Sequence, residues 1–321
     1  MKQFWFVLIL GAAMLVPALS QKHSSDPFSG RWDLTITAGN SSYPSWMELV
    51  DEGGNPAVRI VGRSGSARSV QDVQTQVIAV GVPMGSALSF TTTESFGGKP
   101  VKVTWAMNVQ GDKLTGKQRR ADGVDYELAG VRSPALKRKP PAAWTNPEPL
   151  FNGKDLNGWE ADNPSTNHWV AKNGELVNEK KGANIRSTRQ LEDFKLHIEY
   201  NCPQDGNSGV YLRGRYEVQV EYEPADKNDK YHSMGSIYGF LPPSMDLPPR
   251  PGQWESYDIT LVGRTVSVVR DGVTTIDNQE IPGITGGAID SHEGEPGPLY
   301  IQGDHTGGMK YRNITISVPR K

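Results

Sequence analysis

The chain has 321 residues, 34 of them basic and 36 acidic, for a net charge of -2. That balance offers no electrostatic footprint for nucleic acid or for an anionic membrane surface. The mean hydropathy of -0.52 is that of a water-soluble globular chain, and its length exceeds what one hydrophobic core usually serves, so two domains are expected.

The first twenty residues differ from the rest. Lys2 precedes an apolar run from Phe4 to Val16, and Ala18-Leu19-Ser20 supplies small residues at the positions a signal peptidase reads. The run is shorter than a membrane-spanning helix needs. A signal peptide over 1–20 is therefore expected, with a secreted or periplasmic product and no membrane span after cleavage. No cysteine stands near the cut to carry a lipid; the sole cysteine is Cys202. It reads as a small buried residue rather than a nucleophile.

Residues 26–132 carry short alternating segments, among them "GRWDLTI", "AVRIVG" and "VKVTWAMNV", with a reversal at Gly111-Asp112. A small antiparallel β-barrel or β-sandwich is expected, with no evident chemistry. The stretch 133–149 holds five prolines and three basic residues, and reads as a semi-extended linker because proline resists both helix and sheet. From 150 to 321 the pattern is again strand and turn. Examples are "HWVAKNGELVN" with its Asn173-Gly174 reversal, "FKLHIEYNC", and "YDITLVGRTVSVVRDGVTTID" with reversals at Gly263-Arg264 and Asp271-Gly272. Almost no helical periodicity occurs. The fold class is all-β, with a C-terminal two-sheet jelly-roll sandwich.

The segment "NSGVYLRGRYEVQVEY" raises the functional question. In "EVQVEY", Val218, Val220 and Tyr222 alternate with Glu217, Gln219 and Glu221. The apolar set is core; the polar set meets either water or a ligand. Tyr211, Arg213, Glu217 and Gln219 share one face if the strand is continuous. They also meet if the chain reverses over Gly214-Arg215-Tyr216, which would pair Arg213 with Glu217 and Tyr211 with Gln219. An acid beside a guanidinium is the minimum for proton abstraction with oxyanion stabilisation. Arg–Glu pairs across strands also occur on faces that are merely solvated. Tyr238 in "SMGSIYGFLPPS" and Trp254 in "PGQWESYDI" offer flat rings to a sugar, or packing. In "LYIQGDH", Gln302 ends a strand and Asp304-His305 follows on a Gly-rich loop, where the imidazole is a candidate acid, base or metal ligand. No zinc-type Cys/His spacing, P-loop, nucleophile elbow or dinucleotide fingerprint occurs.

Taken in order, "LFNGKDLNGWE", "NSGVYLRG", "YEVQV", "GSIYG", "PGQWESYDI" and "GPLYIQGDHTGGMKYRNI" resemble the 3-keto-disaccharide hydrolase family over nearly the whole second half. The resemblance implies a concanavalin A-like lectin/glucanase sandwich and cleavage of glycosides already oxidised at C3. It implies a base that removes the C2 proton, β-elimination of the C1 leaving group and hydration of the unsaturated sugar. On the matching segments the catalytic residues are Glu217 as base or metal ligand, Arg213 as clamp on the enediolate and His305 as acid. Asn207, Tyr211, Gln219, Tyr238, Trp254, Gln302 and Asp304 would position the sugar. A divalent metal ion could serve as a further stabiliser. Fold does not fix function, so a carbohydrate-binding module without catalysis stands as the alternative; the chain's oligomeric state is not written in these residues.

Overall fold

The computed structural model describes residues 26–320, apart from 53–54, 64, 71–72, 79–84, 97 and 223–228. The signal peptide expected at 1–20 lies outside the described residues. Among those residues there is no α-helix, only strands and two short 3-10 turns, and no helix long and apolar enough to cross a membrane.

Nine strands build the first sheet: β1 (Gly30–Ala38), β2 (Ser41–Glu52), β3 (Asn55–Val61), β4 (Arg68–Val70), β5 (Gln74–Ile78), β6 (Gly85–Phe96), β7 (Lys99–Gln110), β8 (Lys113–Arg120) and β9 (Asp125–Arg132). Their order is β4-β3-β2-β1-β9-β8-β7-β6-β5. Alternation decides which face is dry: in β7, Val103, Trp105, Met107 and Val109 are buried between exposed neighbours. Trp32, Leu34, Ile36, Met47, Ile60, Trp105 and Leu128 close one core. The sheet therefore curls on itself, and Arg68 of β4 reaches Glu94 of β6 in an ion pair.

The remaining strands are β10 (Glu148–Pro149), β11 (Trp159–Ala161), β12 (Trp169–Lys172), β13 (Glu175–Asn178), β14 (Ile185–Ser187), β15 (Phe194–Asn201), β16 (Asn207–Leu212), β17 (Tyr216–Glu221), β18 (Trp254–Val262), β19 (Thr265–Arg270), β20 (Val273–Glu280), β21 (Tyr300–Ile301) and β22 (Met309–Ser317). One sheet runs β12-β13-β22-β15-β18-β19-β20, with β10 on β22; the other runs β11-β14-β21-β16-β17. Leu196, Ile198, Tyr257 and Ile259 of the first meet Val210, Val218, Val220 and Ile301 of the second in a common core. This is the jelly-roll sandwich, and β17 is its free edge. Cys202 is part of that core, and burial pushes its thiol up to about 12, which suits packing rather than nucleophilic work.

The curled sheet and the sandwich are joined tightly. Trp46 and Val61, from β2 and β3, belong to the sandwich core. Arg31 Nη1 bonds Glu280 Oε1 at 2.5 Å. Asp33 of β1 shares a hydrogen bond with Glu293, whose other partners are Arg264 Nη1 at 3.0 Å and the Tyr216 hydroxyl at 2.8 Å. The Pro-rich segment between them lies along the sandwich: Thr145 N donates to Val318 O (2.9 Å) and Arg320 N to Ala143 O (3.0 Å), while Arg138 pairs with Glu192 (2.7 Å) and Asp193 (3.0 Å).

Candidate active site

A cavity of about 800 Å³ opens beside β17, within the range of small-molecule sites. Its floor is the polar face of the β16–β17 hairpin. The register pairs Asn207 with Glu221, Gly209 with Gln219 and Tyr211 with Glu217, so alternation turns Asn207, Tyr211, Glu217, Gln219 and Glu221 all to the cavity. The opposite face, with Val218 and Val220, packs in the core.

The hairpin register differs from the expected one. Leu212 pairs with Tyr216, so the loop is Arg213-Gly214-Arg215, one residue earlier in the chain. Arg213 takes the left-handed φ of 52°, which turns its side chain out of the strand pattern. Its Nη2 donates to the Tyr216 hydroxyl (3.0 Å) and to Gly263 O (2.9 Å), and it does not line the cavity. The expected Arg213–Glu217 pair is therefore absent: Arg213 belongs to the buried network around Glu293. Trp254 is also elsewhere. On β18 it alternates with the buried Glu255 and Tyr257, so it faces outward, under the Arg312 guanidinium 4.0 Å from its ring centroid.

Glu217 is 4% exposed. Its backbone is pinned on both sides, N to Thr285 Oγ1 (3.0 Å) and O from Tyr238 N (3.0 Å). Its carboxylate lies against Gly209, where an added Cβ would come within 2.1 Å of Oε1; only glycine leaves room for the acid. Burial pushes the carboxyl up to about 8, with the charges of Glu221 and Asp304 adding to the rise and a Tyr211 hydrogen bond opposing it. The Tyr211 hydroxyl also stands 3.0 Å from Gly286 O. Burial and the Glu217 charge hold its phenol well above the usual range, so it remains a donor.

Amides surround the acid. Gln219 Nε2 donates to Glu221 Oε2 (2.6 Å) and Asn207 Nδ2 to Glu221 Oε1 (2.8 Å). Gln219 Oε1 and Gln302 Oε1 are buried acceptors with no donor among the described residues, which ligand hydroxyls would satisfy. Gln302, Asp304 and His305 leave the end of β21 and line the same cavity. Asp304 Oδ1 is 2.7 Å from His305 Nδ1. Burial raises the Asp304 carboxyl, but the hydrogen bond and charge of His305 carry it below the ordinary range.

The loop from Asp229 to Leu241 docks on the free edge of β17 through Gly235 N to Gln219 O (2.9 Å) and Gln219 N to Ser236 O (3.0 Å). It brings Tyr238 to the cavity lining, and with it His232, which sequence reasoning did not single out. His232 Nδ1 is 2.7 Å from Asp229 Oδ2, its ring packs 4.6 Å from that of Tyr238, and its Nε2 is buried without a partner among the described residues. The signal in the sequence was an Asp three residues before a His, visible only once the loop is laid on the strand. Among the described residues no three His, Cys, Asp or Glu side chains are grouped to hold a metal ion; Glu217 and Glu221 are separated by Gln219, and the cavity histidines His232 and His305 are each bonded to an Asp.

Residues 146–317 match the model of the 3-keto-alpha-glucoside-1,2-lyase-like domain. Three crystal structures from Parabacteroides distasonis that carry the provisional name of glycosyl hydrolase are similar. The first is 26% identical over 56% of this chain and 92% of its own, with a TM-score of 0.46. The second is 19% identical over 54% and 92%, at 0.44, and the third 23% over 54% and 98%, at 0.42. No curated protein matches. The matched segment spans just over half the chain and contains the hairpin, the docked loop and the Asp304-His305 turn, and the chain therefore belongs to the 3-keto-alpha-glucoside-1,2-lyase-like family, a glycoside-cleaving class.

Proposed function

We propose that the protein cleaves 3-keto-glycosides by elimination followed by hydration. The observation that carries this reading is a buried carboxyl at the floor of a hydroxyl-binding cavity, raised toward neutrality by burial. A C3 ketone acidifies the C2 proton. The Glu217 carboxylate takes that proton, and the C–H pair becomes the C2=C3 bond of an enediolate with its charge on O3. Re-formation of the C3 carbonyl drives a C1=C2 bond and expels the C1 oxygen, which the Asp304-oriented His305 protonates. Water then adds OH to C1 and H to C2, for net hydrolysis.

Arg213 is replaced in this scheme as oxyanion stabiliser by His232. With Asp229 accepting from Nδ1, a protonated ring has Nε2–H left to donate to the enediolate oxygen. Asn207, Gln219, Gln302 and Tyr238 hold the ring hydroxyls, and Tyr211 orients the base. The expected signal peptide would place this reaction outside the cytoplasm.

Incubation of the purified protein with a chromogenic 3-keto-α-glucoside tests the reading. Aglycone release and a transient unsaturated keto-sugar are expected, with and without chelator. No release with any divalent metal added, or full activity in Glu217→Gln, would overturn it. Saturable sugar binding that survives Glu217→Gln without turnover would instead identify a lectin-like module.

A further inference from the structure

The family match begins at residue 146, yet the cavity does not end there: Arg63 and Gly65, which follow β3 of the curled sheet, line it together with Glu217. They are held firmly. The Gly65 carbonyl abuts Gly286, where a Cβ would come within 2.0 Å of it, and a Cβ on Gly239 would come within 2.2 Å of the Ser66 Cβ. Both contacts fall next to cavity residues, Gly287 and Tyr238. Trp46 meets Phe240 edge-on at 5.3 Å between centroids, and Arg59 lies 5.6 Å over both rings. A packed interface of this kind fixes the position of the loop that follows.

The two arginines at the cavity differ in what they already hold. Arg270 is committed to Glu255 (2.5 Å) and to the Tyr222 hydroxyl (3.0 Å). Arg63 is exposed, stands 5.6 Å from the Tyr43 ring centroid, and forms no ion pair among the described residues. A planar guanidinium left open at a cavity wall is suited to a carboxylate. The hairpin amides and acids serve the reacting ring, which leaves the part of the lining supplied by the curled sheet to serve what is attached to it.

We propose that the N-terminal sheet completes the substrate site, with Arg63 anchoring a carboxylate on the aglycone, so that the enzyme favours glycosides of sugar acids. This rests on the cavity being the glycoside site. The test uses the full chain and two probes of equal length that differ in one group: a glucosyl-gluconate (an aldobionic acid) and the corresponding glucosyl-alditol. Calorimetry on the wild type is expected to show the acid binding about ten- to a hundred-fold tighter, the range of one charge-assisted hydrogen-bonded pair. Arg63→Gln should bring the acid to the level of the alditol and leave the alditol unchanged, and Arg63→Lys should retain part of the preference. Equal wild-type binding of the two probes, equal weakening of both by Arg63→Gln, or binding of neither would overturn the proposal. Neither probe is oxidised at C3, so an acid preference in a protein that turns over no keto-glucoside would sink the elimination chemistry and leave the Arg63 assignment standing.

Discussion

Glu217 is asked to be both buried and ionised, and the two demands conflict. With its carboxyl near 8, about one molecule in ten carries the base form at pH 7. The acid limb of the kcat/KM profile should therefore climb with pH toward an apparent value near 8, and the alkaline limb should fall as the donors His305 and His232 lose their protons; a flat profile from pH 6 to 9 would remove Glu217 as base. Glu217→Gln should lower kcat by about 10²- to 10⁴-fold, the usual weight of a general base. The same residue should weaken the fold. The folded state keeps a proton that the unfolded chain loses above its ordinary value of 4.5, so stability falls as pH rises from there to about 8, by up to about 1.4 kcal/mol per unit, and levels off beyond. Glu217→Gln should thus gain little in Tm at pH 4.5 and most at pH 9.

The hairpin shows what alternation can and cannot tell. The division of "EVQVEY" into Val218 and Val220 on one face and Glu217, Gln219 and Glu221 on the other was legible, because period two follows from strand geometry alone; whether the polar face meets water or a cavity was not. The loop position was not: it turns on Arg213 accepting a left-handed φ and on Tyr216 gaining a place beside Glu293, neither of which has a local signature. His232 was hidden for a similar reason, since its place depends on how a loop docks along β17. Two substitutions separate the roles within this element. Gly209→Ala drives a methyl into the Glu217 carboxylate and should cost about 1–3 kcal/mol of stability together with most of kcat. Arg213→Ala removes the donor to Tyr216 and Gly263 O; it should lower the Tm by an amount worth about 1–3 kcal/mol, while the molecules that remain folded keep kcat within a few-fold. Chemical denaturation and single-turnover assays on each variant distinguish the two patterns.

At the scale of the molecule, the joint between curled sheet and sandwich is polar at its heart. Burial and the neighbouring Glu293 hold the Asp33 carboxyl far above its ordinary range, against the opposing pull of Ser133 and Arg264. Asp33 is therefore protonated when folded and ionised when unfolded across neutral pH, so stability declines toward alkaline conditions as two carboxylates come to face each other. Asp33→Asn should flatten that decline, read as Tm between pH 7 and 10; an unchanged slope would show the joint indifferent to this pair. The prolines of 133–149 make a semi-extended linker the expectation, yet Glu148–Pro149 pairs with β22 and the stretch is anchored to Val318 and Asp193, contacts that composition cannot announce because those partners lie far along the chain. That anchorage, together with the packed seam of Trp46 and Val61, shortens the free chain between the two halves. A mouth whose two jaws are pinned to each other in this way is built as a gauge rather than a clasp, with its walls set before any guest arrives.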